Sequence, residues 1–404
     1  MKIDFKSPKK YLLPLNIITF NLCRLWPFRK KTLWVFGARE GHQYEDNSKY
    51  MFLHVLKNHP NIHAVWLTNE PKVVDDMRKH GYEAYRNGTL KGKWMQLRAG
   101  ASFYTNGLMD FGFIPLVAGS RIVALWHGMG FKLVYNGKLH GKALFLKKTL
   151  DHLFSWTYRN ITLATSQHTV HSLETNFTLK KSGIRITGQP RNDVLFKVNR
   201  NQILNSIGID EHKKAIIYMP TYRGKSLGED AMGKILVDLY NSVELDKELN
   251  KENAVLIAKL HPLTPHVDIQ NRENFIVLDY ANVHGNQELM GACDELITDY
   301  SSCFVDYALL ERPIIFYVPD EENFIKNSED VEKEFYEICN INKTTTPKEL
   351  ADKLSMSGKE VAKATNDLFE DPRIKGTNYS ENVYKAVVET LKIKQRTSKN
   401  FLSF

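Results

Sequence analysis

Short runs of apolar, β-branched residues recur along the chain, each followed by a longer segment of mixed polarity. The first series is Thr32–Phe36, His63–Thr68, Ala101–Thr105, Ile122–Leu125, Ile161–Ala164 and Ile184–Thr187. Such runs read as strands buried on both faces. The stretches between several of them, Ser48–Asn58 and Lys72–His80 among them, have the length and spacing of helices. A second series begins near residue 214, with Ala215–Met219, Ala254–Leu260, Phe275–Leu278, Glu295–Thr298 and Pro313–Val318. Strands that alternate with helices predict parallel sheets joined by crossover helices. Turn residues cluster around Gly188–Arg200, between the two series.

The pattern therefore predicts an α/β protein of two Rossmann-like domains facing a cleft, the glycosyltransferase-B arrangement, with ligands at the carboxyl ends of the strands. The expected division is 1–31, a basic amphipathic membrane-interface segment; 32–190, an acceptor domain; 191–385, a donor domain; and 386–404, a basic tail. A length of 404 residues suits two domains, and 43% hydrophobic with 25% charged residues suits globular ones. Cys23, Cys293, Cys303 and Cys339 form no CxxC pair, so buried reduced thiols are expected, not a zinc site or a disulfide framework.

Charge changes the picture once it is located. The net +9 comes from the two ends. Residues 1–31 hold Lys2, Lys6, Lys9, Lys10, Arg24, Arg29, Lys30 and Lys31 against Asp4, and the last residues hold Lys392, Lys394, Arg396 and Lys399 with no acid. The body between them is close to neutral, which argues against a nucleic-acid partner. The apolar stretch Tyr11–Phe28 is interrupted by Pro14, Asn16, Asn21 and Arg24, too polar for a spanning helix, and no small-residue cleavage site follows it. Trp26 and Phe28 beside Arg29, Lys30 and Lys31 suit an anionic bilayer surface; the alternative is a helix packed on the protein's own core. Peripheral attachment to the cytoplasmic face of the cell membrane is the expectation.

Four constellations follow expected strands. Trp126-His127-Gly128-Met129 ends the strand Ile122–Leu125; a histidine near neutrality, beside a glycine that lets backbone and substrate approach, suits general-base work on a hydroxyl. Pro220-Thr221-Tyr222-Arg223 ends Ala215–Met219, and its arginine could fork to a phosphate. Lys259-Leu260-His261 ends Ala254–Leu260. Asp299-Tyr300-Ser301-Ser302 precedes the apolar stretch Cys303–Leu310, where hydroxyls and free backbone N–H groups favour a phosphate; plain helix capping is the blander reading. Asp306 shares that helix face. There is no Walker A loop, GxGxxG, GxSxG, HExxH or EF-hand loop, and Asp294, Asp299 and Asp306 make no DxD-type cluster. Neither metal nor cofactor is expected.

These segments, with Gly188-Gln189-Pro190-Arg191-Asn192-Asp193 and Arg312-Pro313-Ile314-Ile315-Phe316-Tyr317, resemble in order those of the teichoic-acid and capsule CDP-glycerol glycerophosphotransferase family. Two positions depart from its pattern: Met129 follows the glycine in place of threonine, and Tyr222 stands where tryptophan is common. The resemblance implies transfer of glycerol phosphate, or another polyol phosphate, from a CDP-activated donor to a lipid-linked or polymeric acceptor. It implies His127 as base and His261 as its catalytic companion. Substrate-binding roles would fall to Gly128, Arg191, Thr221, Arg223, Lys259, Asp299, Ser301, Ser302 and Asp306. Of these, Arg223, Ser301 and Ser302 would hold the pyrophosphate with His261, and Asp299 and Asp306 would orient these groups or bind donor hydroxyls. A nucleotide-sugar transferase of the same fold is the enzymatic alternative. A non-catalytic envelope scaffold is the other, though it would need none of His127, His261 and Arg223.

Overall fold

The structure, a computed structural model, describes residues 13–129, 131–154, 159–179, 181–223, 231–261, 264–265, 267–278, 285–327, 331–356 and 358–393. The lysines at 2, 6, 9 and 10 and the basic residues beyond 393 lie outside the described residues.

Thirteen described strands form two sheets, and every strand pairing within them is parallel. The first sheet contains β1 (Lys30–Phe36), β2 (His63–Thr68), β3 (Ala84–Arg86), β4 (Ala99–Tyr104), β5 (Arg121–Ala124), β6 (Ile161–Ala164) and β7 (Ile184–Ile186), in the order β3-β2-β1-β4-β5-β6-β7. The second contains β8 (Lys214–Met219), β9 (Ala254–Lys259), β10 (Phe275–Leu278), β11 (Glu295–Thr298), β12 (Ile314–Tyr317) and β13 (Lys343–Thr344), in the order β10-β9-β8-β11-β12-β13. All eleven expected strands are present. β3 and β13 were not expected; three and two residues are too short to leave a periodic signal.

The strand sequences read as continuous apolar runs because both faces are covered. Along β1, Trp34 and Phe36 enter one apolar core while Leu33 and Val35 enter another on the opposite face. β9 divides likewise, Val255 and Ile257 to one side, Leu256 and Ala258 to the other. Each buried Val, Leu, Ile or Phe side chain among these contributes about 1.5–3 kcal/mol. One core is continuous across both sheets, so the two units share apolar packing; Phe131 stacks on Phe335 at 4.2 Å and meets Phe304 at 5.3 Å.

Both ends of the described chain pack on the first unit. Helix Tyr379–Leu391 returns to the first unit, where Tyr384 packs on Trp34 and Arg121 donates to the Thr390 carbonyl at 3.1 Å. Residues 386–391, expected in a basic tail, are its last turns, with Val387, Val388 and Leu391 buried, because their apolar side chains complete the core beside β5. At the other end, helix Leu13–Cys23 packs partly on the protein itself. Phe20 is buried against the core of the first sheet, and Arg29 turns inward to donate to the carbonyls of Cys23, Gln96, Ala99 and Ala118. Ile18, Leu22, Leu25 and Phe28 remain more than half exposed. Among the described residues no helix is long and apolar enough to cross a membrane.

Each sheet has one place where strand order reverses, between β1 and β4 in the first and between β8 and β11 in the second. Crossovers leave such switch points in opposite directions, so a crevice opens outside the carboxyl ends of their strands. The loops that leave these four strands, with those after β5 and β9, build the cleft.

Candidate functional site

A cavity of about 530 Å³ lies between the two sheet edges. The first unit lines it with Arg39, Glu45, Asp46, Lys49, Tyr50 and His127, and Arg191 comes from the segment joining the units. The second unit contributes Lys259, His261, Gln287, Ser301, Ser302 and Asp306. A second chamber of about 380 Å³ adjoins it, lined by Trp126, Gly128, Lys132, Phe177, Thr221 and Tyr222 among others. His127, His261, Ser301 and Ser302 belong to both walls, so they stand where the chambers meet.

His127 is held by backbone contortion. Trp126 has φ +60° and Gly128 φ +149°, a pair of left-handed positions that turn the chain sharply after β5. A Cβ at Gly128 would lie 3.0 Å from Ser302 Oγ and 3.2 Å from Arg191 Nη2, so glycine also permits the close approach of the two units. The carbonyls freed by this turn are all answered: Asn47 donates to the Leu125 and Trp126 oxygens at 3.3 and 3.0 Å, and Arg191 to the His127 oxygen at 2.8 Å. The ring packs against Trp126 at 4.2 Å, and Nδ1 lies 3.5 Å from the Thr105 carbonyl at the end of β4. Burial pushes the His127 pKa below the ordinary 6.5; the nearby Asp46 carboxylate offsets this in part. The imidazole is thus neutral at physiological pH, the form a base requires.

Arg191 ties the units together. Its guanidinium bonds Asp46 at 2.9 Å on one side and Asp306 at 2.6 Å on the other. Gln189, Asn192 and Gln287 add donors to Asp306 at 3.0, 2.8 and 3.3 Å. Burial alone would raise the Asp46 pKa, but Arg191, Arg39 and His127 outweigh it and hold the carboxyl below the ordinary value. Arg191 and Asp306 line the cavity wall and are bonded to each other.

Arg223 and Asp299 depart further from a direct grip on substrate. Arg223 bonds Asp299 at 2.6 Å and forks to Asp320 at 2.7 and 3.0 Å, and neither Arg223 nor Asp299 is among the residues lining the two chambers. Asp299 also accepts from the Thr221 amide and hydroxyl at 2.8 and 2.7 Å. The physical reason is charge balance: an arginine this deeply buried must meet carboxylates. Asp320, three residues beyond Tyr317 and outside any motif, supplies the second one. The pair therefore fixes the Thr221 turn, which does face the second chamber.

Ser302 precedes helix Cys303–Ala308 but makes no side-chain cap bond, so its hydroxyl is not consumed in capping. It faces Gly128 across the cleft. Burial lowers the pKa of Lys259, with Glu45 and Glu288 opposing, and burial lowers that of His261, with Arg39 adding to the effect. His261 stacks on Tyr222 at 5.2 Å.

Sequence reasoning missed one whole wall. Arg39, Glu45, Asp46, Lys49 and Tyr50 come from the loop after β1 and the first turns of helix Asp46–Asn58. Arg39 bonds Glu45 at 2.5 Å and Asp46 at 3.2 Å, and Tyr50 and Lys49 reach across to Glu288 at 2.8 and 3.7 Å. Charged residues directly after the first strand of a Rossmann-like unit were the available signal.

The arrangement places a neutral imidazole, hydroxyls and cationic groups around space for a polar ligand. The sequence model described as CDP-Glycerol:Poly(glycerophosphate) glycerophosphotransferase matches residues 18–389. The chain is 29% identical over 332 residues to the teichoic acid poly(glycerol phosphate) polymerase of Bacillus spizizenii, covering 79% of this chain and 82% of that one. It is 27% identical over 316 residues to the polymerase of the same description from Bacillus subtilis, covering 76% of this chain but only 41% of the longer relative. A solved structure of the wall teichoic acid polymerase TagF superposes with a TM-score of 0.74 at 22% identity, covering 95% of this chain and 97% of that one. The two parallel-sheet units thus have a glycosyltransferase-B-like fold.

Proposed function

For a chain that belongs to the CDP-glycerol:poly(glycerophosphate) glycerophosphotransferase family, we propose transfer of a polyol phosphate from a CDP-activated donor to a hydroxyl of a lipid-linked or polymeric acceptor in teichoic acid or capsule synthesis. One observation carries the reading: two chambers meet at His127, His261, Ser301 and Ser302. The donor pyrophosphate lies in the larger chamber, beside Lys259, His261 and the two serine hydroxyls. The acceptor enters the smaller, beside Gly128 and Thr221.

His127 takes the proton of the acceptor hydroxyl as its oxygen attacks the donor's β-phosphorus. The new P–O bond forms as the bond to the bridging oxygen breaks, and CMP leaves with that electron pair. His261, Lys259, Ser301 and Ser302 stabilise the charge spread over the phosphoryl oxygens. Arg191, Arg223, Asp299 and Asp306 position these groups. CMP release from CDP-glycerol and from CDP-ribitol, with a lipid-linked acceptor analogue, tests the proposal. Turnover of one donor names the polyol. Silence with both, alongside cleavage of a UDP- or GDP-sugar, overturns it in favour of a nucleotide-sugar transferase.

The same reading places the protein peripherally on the cytoplasmic face of the membrane. Ile18, Leu22, Leu25 and Phe28 are exposed, as is Trp94, and Trp26 meets both Phe28 at 5.4 Å and Trp94 at 6.4 Å. Apolar side chains of this kind partition into a bilayer interface. Leu22→Glu with Leu25→Glu should lower binding to anionic vesicles by about tenfold per residue; unchanged co-flotation would refute the surface.

A further inference from the structure

Away from the cleft, three metal-ligating side chains converge at the seam between helix Asp46–Asn58 and the returning helix Tyr379–Leu391. His54 Nε2 lies 3.1 Å and His59 Nε2 2.9 Å from the same oxygen, Oε2 of Glu381. The three ligand atoms all lie within 4.8 Å of one another, and none of the three residues lines either chamber of the cleft. Among the described residues this is the one such cluster of histidine, cysteine and carboxylate groups.

The backbone explains the convergence. Residues five apart do not share a helix face, yet His59 is the C-cap, and its non-helical φ −130° and ψ 65° swing its ring back toward His54. Its imidazole then lies flat on Tyr384, with ring centroids 3.4 Å apart, while the Asn58 carboxamide sits 3.2 Å from His54 Nδ1. Both rings are thereby oriented with Nε2 toward the carboxylate. All three side chains are at most 29% exposed, so the group is partly shielded while keeping a side open to solvent.

We infer that His54, His59 and Glu381 form a binding site for a zinc-like divalent ion, which latches the last helix onto the first unit. Two imidazole nitrogens and one carboxylate oxygen are ligands zinc accepts, with water in the fourth position. At zinc bond lengths of roughly 2.0–2.2 Å, tetrahedral ligand atoms stand about 3.3 Å apart. The observed 2.9 and 3.1 Å need to open by only a few tenths of an ångström. Metal at Nε2 puts the His54 proton on Nδ1, so the Asn58 carboxamide, whose Nδ2 now faces Nδ1 and donates to the His54 carbonyl at 3.0 Å, must turn away from the ring. The role is structural, since the ligands come from both ends of the sequence and lie outside the chemistry.

The full-length protein, stripped with a chelator, is titrated with zinc against a chromophoric zinc indicator. Wild type should take up one equivalent, and zinc should raise its melting temperature, because the ion binds the folded chain preferentially. His54→Ala and Glu381→Gln should each weaken uptake at least tenfold and abolish the zinc-dependent rise. His59→Gln provides a milder variant should either fold poorly, with circular dichroism without zinc as the control. X-ray absorption of the loaded wild type should show two imidazoles and one carboxylate. No uptake by wild type, or uptake equal in wild type and the folded variants, overturns the site.

Discussion

The two sheet edges that face the cleft are built on one plan and tuned differently. In each, a histidine follows a strand one place removed from the switch point: His127 after β5, beside β4, and His261 after β9, beside β8. Around His127 the backbone is contorted, with Arg39, Glu40, Asp46 and Trp126 all at positive φ. Around His261, Thr221 and Ser301 no described non-glycine residue has such a φ. Left-handed conformations of this kind cost about 1–3 kcal/mol each and persist only where the surroundings impose them. At Trp126, Asn47 and Arg191 impose the conformation by bonding the carbonyls of the turn. The contrast fits a division of labour, with one edge aiming a single proton acceptor and the other presenting several relaxed donors to a phosphate.

If that division holds, the two histidines are unequal. His127→Ala should lower kcat for CMP release by about 10²–10⁴-fold, the usual range for losing a general base, with the fold intact by circular dichroism. His261→Ala should act more mildly and partly through KM, since Lys259, Ser301 and Ser302 remain beside the donor. Equal losses in kcat from the two variants would erase the distinction between the edges.

The two buried arginines offer a second comparison. Arg191 joins the units through Asp46 and Asp306, whereas Arg223 serves the second unit through Asp299 and Asp320. Removing either leaves buried carboxylates short of a cation, a loss of up to about 3–5 kcal/mol. Asp46 keeps Arg39 at 3.2 Å and Asp306 keeps three amide donors, so Arg191→Met should destabilise less than Arg223→Met in urea unfolding. Arg191→Met should lower kcat more, because it alone also releases the carbonyl of His127. A larger kcat loss for Arg223→Met would give Arg223 the direct phosphate role that its burial denies.

These differences show where the sequence was legible. Long apolar strands and the motifs after them could be read, because a strand buried on both faces leaves an unbroken apolar run and each motif sits at its carboxyl end. The wall from Arg39 to Tyr50 was not legible, since a helix start rich in charge looks like any solvated turn until the opposing Arg191 is in place. Arg223 and Asp299 were legible as a motif, but the ion pairs that bury Arg223 were not. They depend on Asp320, a residue that no local pattern links to the motif. The fate of helix Tyr379–Leu391 is likewise set by tertiary packing on Trp34, which periodicity cannot report.

The smallest expected effect is the most discriminating, because it reads the His127 environment directly. Burial depresses the pKa of this histidine below 6.5, and in the proposed role as base the unprotonated form acts. The acid limb of kcat/KM should accordingly lie below pH 6.5, falling about tenfold per unit beneath the folded-state pKa. Stability follows the same sign. The unfolded chain binds the proton at the higher, ordinary pKa, so this group makes the fold less stable as pH drops below 6.5. Asp46 works against the depression by favouring the imidazolium. Asp46→Asn removes that attraction and should move the acid limb to still lower pH by about a unit or less, with lower overall activity from the loosened Arg191. A limb that moved upward would mean that Asp46 shields His127 from water instead of pulling on its charge. The contorted edge would then owe its reactivity to exclusion of solvent, with the ion network serving only to hold the units closed.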